Sequence, residues 1–111
     1  MVVILLKKKQ LFYLRSRQIE NEYLVSICDS HLLGETLCEG DVELYVNERF
    51  FSGELVTVEK CLVEMAKATN LNIIGKAIVE AAIKERMINE HSVMWIDCQK
   101  NGRVAHAMLI R

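Results

Sequence analysis

Apolar positions fall into short runs with two different periods along this chain. Leu11-Phe12-Tyr13-Leu14 reads as a strand, and Tyr23-Leu24-Val25-Ser26-Ile27-Cys28 as its returning partner, with the polar stretch Arg15 to Glu22 as the turn between them. Asp29 then reads as the cap of a single helical turn, Ser30 to Leu33, that stops at Gly34. Glu39-Gly40 is a turn signal leading into Val42 to Val46, where Val42, Leu44 and Val46 alternate against Glu43 and Tyr45. That alternation describes a strand with one buried and one wet face. The segment from Asn47 to Glu54 is irregular; Phe50 and Phe51, set before Gly53, either form a protruding aromatic loop or tuck beneath it.

The period then changes. Thr57 reads as a helix N-cap, with Val58, Cys61, Leu62 and Met65 on one stripe and Glu59, Lys60, Glu64 and Lys67 off it. A second, more buried helix is expected from about Asn72 to Ile88, its polar line being Lys76, Glu80 and Lys84. His91 to Cys98 returns to strand character, Asn101-Gly102 is a hairpin signal, and Val104 to Ile110 forms the last strand. Val104, His106, Met108 and Ile110 share one face of it and Ala105, Ala107 and Leu109 the other, so a central position is expected. The order β-β-β-α-α-β-β predicts an α+β fold: a mostly antiparallel sheet of about five strands with two helices on one face.

Composition narrows the picture. A chain of 111 residues with 51% hydrophobic and 26% charged residues sits in the globular range and suits one domain over 1–111. The opening Met1 to Lys9 puts an apolar run before its charges and is too short for a signal peptide or a membrane span. Residues 1–10 therefore read as an extension or extra edge strand, a candidate surface for homo-oligomer formation. Fourteen basic residues against fifteen acidic ones give a net charge of −1, without the surplus expected of a nucleic-acid binder. The local excess is Lys7, Lys8 and Lys9 with Arg15 and Arg17, joined by Arg103 and Arg111 later in the chain. It is either solvated surface or a face for a protein or RNA partner. Cys28, Cys38, Cys61 and Cys98 contain no C-x-x-C, so they read as reduced thiols in a cytoplasmic protein. Together with His31, His91 and His106 they offer no pair at metal-ligand spacing, and no metal or other cofactor is expected.

His106 is the first candidate for chemistry, because an imidazole in phase with Val104, Met108 and Ile110 puts a titratable ring on an apolar face. The plainer reading is a core histidine satisfied by a carbonyl. Cys28 beside Asp29 is either an activated nucleophile or an apolar thiol followed by a helix cap, and the neighbouring carboxylate opposes activation. No Gly-rich phosphate loop, G-x-S-x-G or H-E-x-x-H motif is written here.

In order along the chain stand Cys28-Asp29-x-x-Leu32-Leu33-Gly34, Glu39-Gly40, Phe50-x-x-Gly53-Glu54, Ala68-Thr69-x-x-Asn72-x-x-Gly75 and His106-Ala107. This series resembles an archaeal family of small proteins, the domain-of-unknown-function family 424, from about Leu11 onward. The resemblance implies an archaeal cytoplasmic protein and brings no established activity. It directs attention to Cys28, Asp29, Glu54, Asn72 and His106 as functional polar positions. Gly34, Gly53 and Gly75 read as backbone requirements. Ala105, Met108 and Ser52 depart from the family pattern, which often has Pro and Gln around the His-Ala pair and Gly at the third position. With no catalytic signature, the expected function is a non-catalytic binding or adapter module, accessory to translation or RNA-handling machinery. The alternative is a small enzyme or ligand-binding protein with a pocket near His106, Cys28 and Asp29.

Overall fold

The computed structural model describes residues 10–111; expectations for residues 1–9, including Lys7, Lys8, Lys9 and an N-terminal edge strand, lie outside the described residues. The described residues form eight strands and three helices in the order β1 (Phe12–Ile19), β2 (Glu22–Asp29), β3 (Thr36–Glu39), β4 (Val42–Tyr45), α1 (Glu48–Phe51), β5 (Glu54–Val56), α2 (Val58–Lys67), β6 (Asn70–Ile74), α3 (Lys76–Lys84), β7 (Met94–Cys98) and β8 (Gly102–Ile110). Six strands form one sheet in the order β5-β1-β2-β6-β8-β7, while β3 and β4 form a separate hairpin. Only β2 and β6 run parallel within the six-stranded sheet. The fold is α+β and mostly antiparallel, with α2 and α3 on one face, as the pattern predicts.

The strand count and order differ from the expected β-β-β-α-α-β-β with about five strands: β3, β5 and β6 are additional, β6 separates the two helices, and the stretch expected to be irregular holds α1 and the start of β5. Several boundaries and one burial expectation differ as well. Arg15 to Ile19 continues β1, and the turn shrinks to Glu20 and Asn21, with Glu20 at φ 53. Cross-strand pairing to β2 through Ile19 and Glu22 supplies what local propensity does not. Asn72 lies within β6, not at a helix start, and α3 begins only after Gly75 and ends at Lys84. The adjacent apolar residues Ile73 and Ile74 suit a buried strand and a buried helix equally well; Leu71 and Ile73 pack on one face and Ile74 on the other. Val42 is 48% exposed although it alternates with buried Val46, because only the stem end of the small hairpin reaches the core.

The two faces of the sheet are covered unequally. Under α2 and α3, Phe12, Leu14, Val25, Ile27, Leu71, Ile73, Ala105 and Ala107 pack against Cys61, Met65, Ile78, Val79 and Ala82. On the opposite face a smaller core gathers Cys28, Ile74, Ile96, Cys98 and Val104 beneath Leu32, Leu37, Val46 and Phe51. These covering residues come from a 3-10 turn at Ser30–Leu32, the β3–β4 hairpin and α1. Phe51 is buried, and Phe50 meets it edge to face with ring centroids 4.9 Å apart. The second layer covers only one end of that face and leaves the other end of the sheet open.

Candidate functional site

Cross-strand register places Arg15 beside Ser26, Ser26 beside Asn72, and Asn72 beside Met108. Arg17, Leu24, Asn70 and Ile110 form the next row outward. Paired residues project from the same side of a sheet, so both rows lie on the face opposite α2 and α3, beyond the smaller core. Ile19, Met108 and Ile110 are 50%, 59% and 74% exposed. Met94, opposite His106 on β7, is exposed as well.

The centre of this open half-face is polar and closed on itself. Nε2 of His106 lies 2.8 Å from Oδ1 of Asn72. An amide oxygen can only accept, so the neutral ring donates its Nε2 proton here and keeps the lone pair on Nδ1. Both side chains are half-buried, and burial holds the imidazole below the ordinary histidine value. His106 is therefore a neutral group at neutral pH, with one nitrogen committed to Asn72. At the edge of the face, the Arg15 guanidinium donates to the carbonyl of Arg49 in α1, while Arg17 is exposed.

Asp29 leaves the sheet on the other side, being paired with Phe12 rather than with the His106 row. It is 2% exposed, and its two carboxylate oxygens accept from the amides of Ala77 at 3.0 Å and Ile78 at 3.1 Å. These are orphan donors of the first turn of α3, so Asp29 caps a helix more than forty positions later and its side chain makes no cap bond to the adjacent Ser30–Leu32 turn, contrary to the sequence reading. Gly75 has φ 131, and a Cβ there would stand 2.2 Å from the Asp29 carboxyl carbon. Burial raises the Asp29 pKa, with the two donated amide bonds acting in the opposite direction. A cavity of about 360 Å³ beside Asp29 is lined by His31, Lys76 and Arg103 and does not include His106.

Cys28 lies on the same face as His106 but is fully buried in the smaller core, one strand removed, with Ile74 between them in the register. Burial, reinforced by the neighbouring Asp29 charge, pushes its thiol up to about 12. Glu54 is exposed on β5 at the far edge of the sheet, in a cavity with Lys60 and Glu64 on the α2 side. At Gly53 a Cβ would be 2.0 Å from the Leu14 carbonyl oxygen, so β5 approaches β1 there as only glycine allows. Of the five polar motif positions the fold brings together two, Asn72 and His106. The pocket of His106, Cys28 and Asp29 does not assemble, since Asp29 faces away and Cys28 is sealed.

Of the later arginines, Arg103 stacks over Trp95 at 4.6 Å, and Arg111 donates to the carbonyls of Met65, Ala66 and Ala68 at the C-terminal end of α2. Neither shares the face of Arg15 and Arg17. The placement of Arg15 and Arg17 on the same face as Asn72 is hidden in the sequence because that stretch reads as a turn. The signal was the alternation of Tyr13, Arg15, Arg17 and Ile19 against Phe12, Leu14, Ser16 and Gln18. Among the described residues no cluster of His, Cys, Asp and Glu has the arrangement of a metal site, and no helix is long and apolar enough to cross a membrane.

Fold and face together define an α+β protein whose mostly antiparallel sheet is closed by helices on one side and left half open on the other. Residues 17–106 match the family described as protein of unknown function (DUF424), and the chain belongs to that family. A solved structure, an uncharacterized conserved protein from Methanopyrus kandleri, is similar with a TM-score of 0.71 at 18% identity, covering 91% of this chain and 94% of that one. At that identity the likeness shows the shared fold. No curated protein matches the chain.

Proposed function

We propose that the protein is a non-catalytic binding module that takes a protein partner on the open half of its sheet. The observation that carries this reading is the uncovered face itself. Ile19, Met94, Met108 and Ile110 are exposed there around the polar pair Asn72 and His106, with Arg15 and Arg17 at the edge of the face. Exposed apolar side chains gathered on one surface mark interaction sites, and the two arginines select a segment carrying acidic as well as apolar residues. Binding of RNA bases is favoured by aromatic platforms, and the two cross-strand rows, Arg15-Ser26-Asn72-Met108 and Arg17-Leu24-Asn70-Ile110, carry no Phe, Tyr or Trp. The setting that fits is the cytoplasm, where Cys28, Cys38, Cys61 and Cys98 stay free thiols. Within it the module serves as an accessory of a larger assembly such as the translation or RNA-handling machinery.

Sedimentation of the tagged protein in an extract of its native cells tests this, with wild type compared to Arg17→Glu and each run with and without ribonuclease. The expected result is migration with a heavier fraction that survives ribonuclease and is lost in Arg17→Glu. Loss on ribonuclease treatment would replace the protein partner with RNA. Migration as the free protein in every sample would overturn the binding-module reading.

A further inference from the structure

The sheet has a free edge in an unexpected place. β8 is nine residues long, but β7 pairs with it only from Gly102 to His106. On its other side β6 follows β8 out to Ile110. Main-chain groups of an antiparallel strand point alternately to its two neighbours. The Gly75 amide donates to the Ala105 carbonyl, and the Arg111 amide to the Thr69 carbonyl. Ala105, Ala107, Leu109 and Arg111 therefore bond toward β6, and His106, Met108 and Ile110 bond away from it. Beyond His106 no strand among the described residues lies on that outward side. Among the described residues, the N–H and C=O of Met108 and Ile110 have no main-chain partner. The same two are, among the described residues, the most exposed large hydrophobic side chains, at 59% and 74%.

Other edges of the sheet carry charges or are short. β1 runs past β5 from Arg15 to Ile19 but carries Arg15 and Arg17 there, and β5 is three residues long and begins with a glutamate. The outer edge of β7 is engaged where the Asp97 amide donates to the Glu39 carboxylate at 2.8 Å. Short edge strands and edge charges are ways in which proteins block sheet extension. Ala107-Met108-Leu109-Ile110 has no charge, no proline and no bulge.

We propose that this overhang is a dimerisation edge, occupied by β8 of a second copy running antiparallel about a two-fold axis at Leu109. The edge is its own complement. With Leu109 opposite Leu109 of the second copy, Met108 stands opposite Ile110 and Ile110 opposite Met108. Each such pair exchanges two bonds, N–H to C=O in both directions, so all four free groups of each copy are satisfied. Apolar side chains exposed in one copy meet apolar side chains of the other on the open face. No like charges meet in the paired stretch, because the nearest cation, Arg111, is turned away onto the carbonyls of α2. The two sheets become one, and the two open half-faces become a single surface. This inference does not rest on the partner-binding reading.

The test uses the full purified chain in sedimentation equilibrium across a concentration series. The wild type is expected to be a reversible dimer. Two double variants at these exposed positions then read the register. Met108→Lys with Ile110→Lys places lysine opposite lysine twice, and Met108→Lys with Ile110→Glu places lysine opposite glutamate twice. The dissociation constant of the first is expected to exceed that of the second by about tenfold or more. Circular dichroism spectra should be unchanged, since both side chains project into solvent. A wild type that stays monomeric at high concentration would overturn the proposal. So would a dimer indifferent to both double variants, or one that both weaken equally. A dimer lost only on deletion of residues 1–9 would assign the contact to that segment instead and likewise remove β8.

Discussion

At the scale of single residues, His106 shows how placement settles what a side chain can do. Its ring is half-buried, hydrogen-bonded to Asn72 and held below its ordinary pKa of 6.5 by burial. The unfolded chain therefore binds a proton at this position more readily than the folded one as pH falls. The stability His106 contributes is fully present above about pH 6.5 and is lost as pH drops through the depressed folded value. Replacing His106 with Asn should flatten that part of the pH-stability profile relative to wild type. Chemical denaturation between pH 5 and 7.5, with the difference between the two proteins plotted, checks it. Parallel curves would mean that the imidazole titrates alike in both states. Cys28 makes the complementary point: its full burial and a thiol pKa near 12 remove the thiolate that nucleophilic chemistry requires.

At the scale of elements, the joint between β2 and α3 accounts for two of the motifs at once. The Asp29 carboxylate stands where the first turn of α3 needs an acceptor, and Gly75 leaves room for it. Asp29→Ala leaves two amide donors without a partner at a buried site, which should cost about 3 kcal/mol. Asp29→Asn, which retains one acceptor oxygen, should lose less. Denaturant titration of the two variants gives both numbers, and a loss under about 1 kcal/mol for the alanine would show that water replaces the carboxylate. The sequence anticipated the helix at Thr57, the hairpin at Asn101-Gly102 and the central last strand, because each has a local signature. The second half of β1 and all of β6 were hidden, since both are fixed by strands distant in sequence: Arg17 pairs with Leu24, and Leu71 with Val25 and Leu109. The same limit applied to the site. His106 stood out as a polar ring within an apolar alternation, but its partner could not be read while Asn72 seemed to begin a helix. Arg15 and Arg17 could not join them while their segment read as a turn.

At the scale of the whole molecule, the unequal cover of the sheet sets an order of opening. β2, β6 and β8 are interior strands, and one of their faces is sealed by α2 and α3. The β3–β4 hairpin belongs to a separate two-stranded sheet and is held through Leu37, Val46 and half-buried Leu44 in the smaller core. A side-chain contact from Glu39 to the Asp97 amide adds to that hold. Opening the hairpin exposes only those few apolar groups, whereas opening the centre of the sheet unravels the larger core, and local stability follows the surface that must be exposed. Amides of Val25, Ile73 and Ala107 should therefore exchange only through global unfolding. Those paired across Cys38 and Glu43 should exchange about a hundredfold faster or more, through a smaller opening. Native-state hydrogen exchange at increasing denaturant separates the two cases. The hairpin amides are expected to show a shallow denaturant dependence at low concentrations and to merge with the core only near the unfolding transition. Equal protection and equal dependence throughout would mean that the hairpin folds as part of the sheet's cooperative unit. In that case the open half-face would border a rigid wall, and a partner would meet a surface fully preformed on every side.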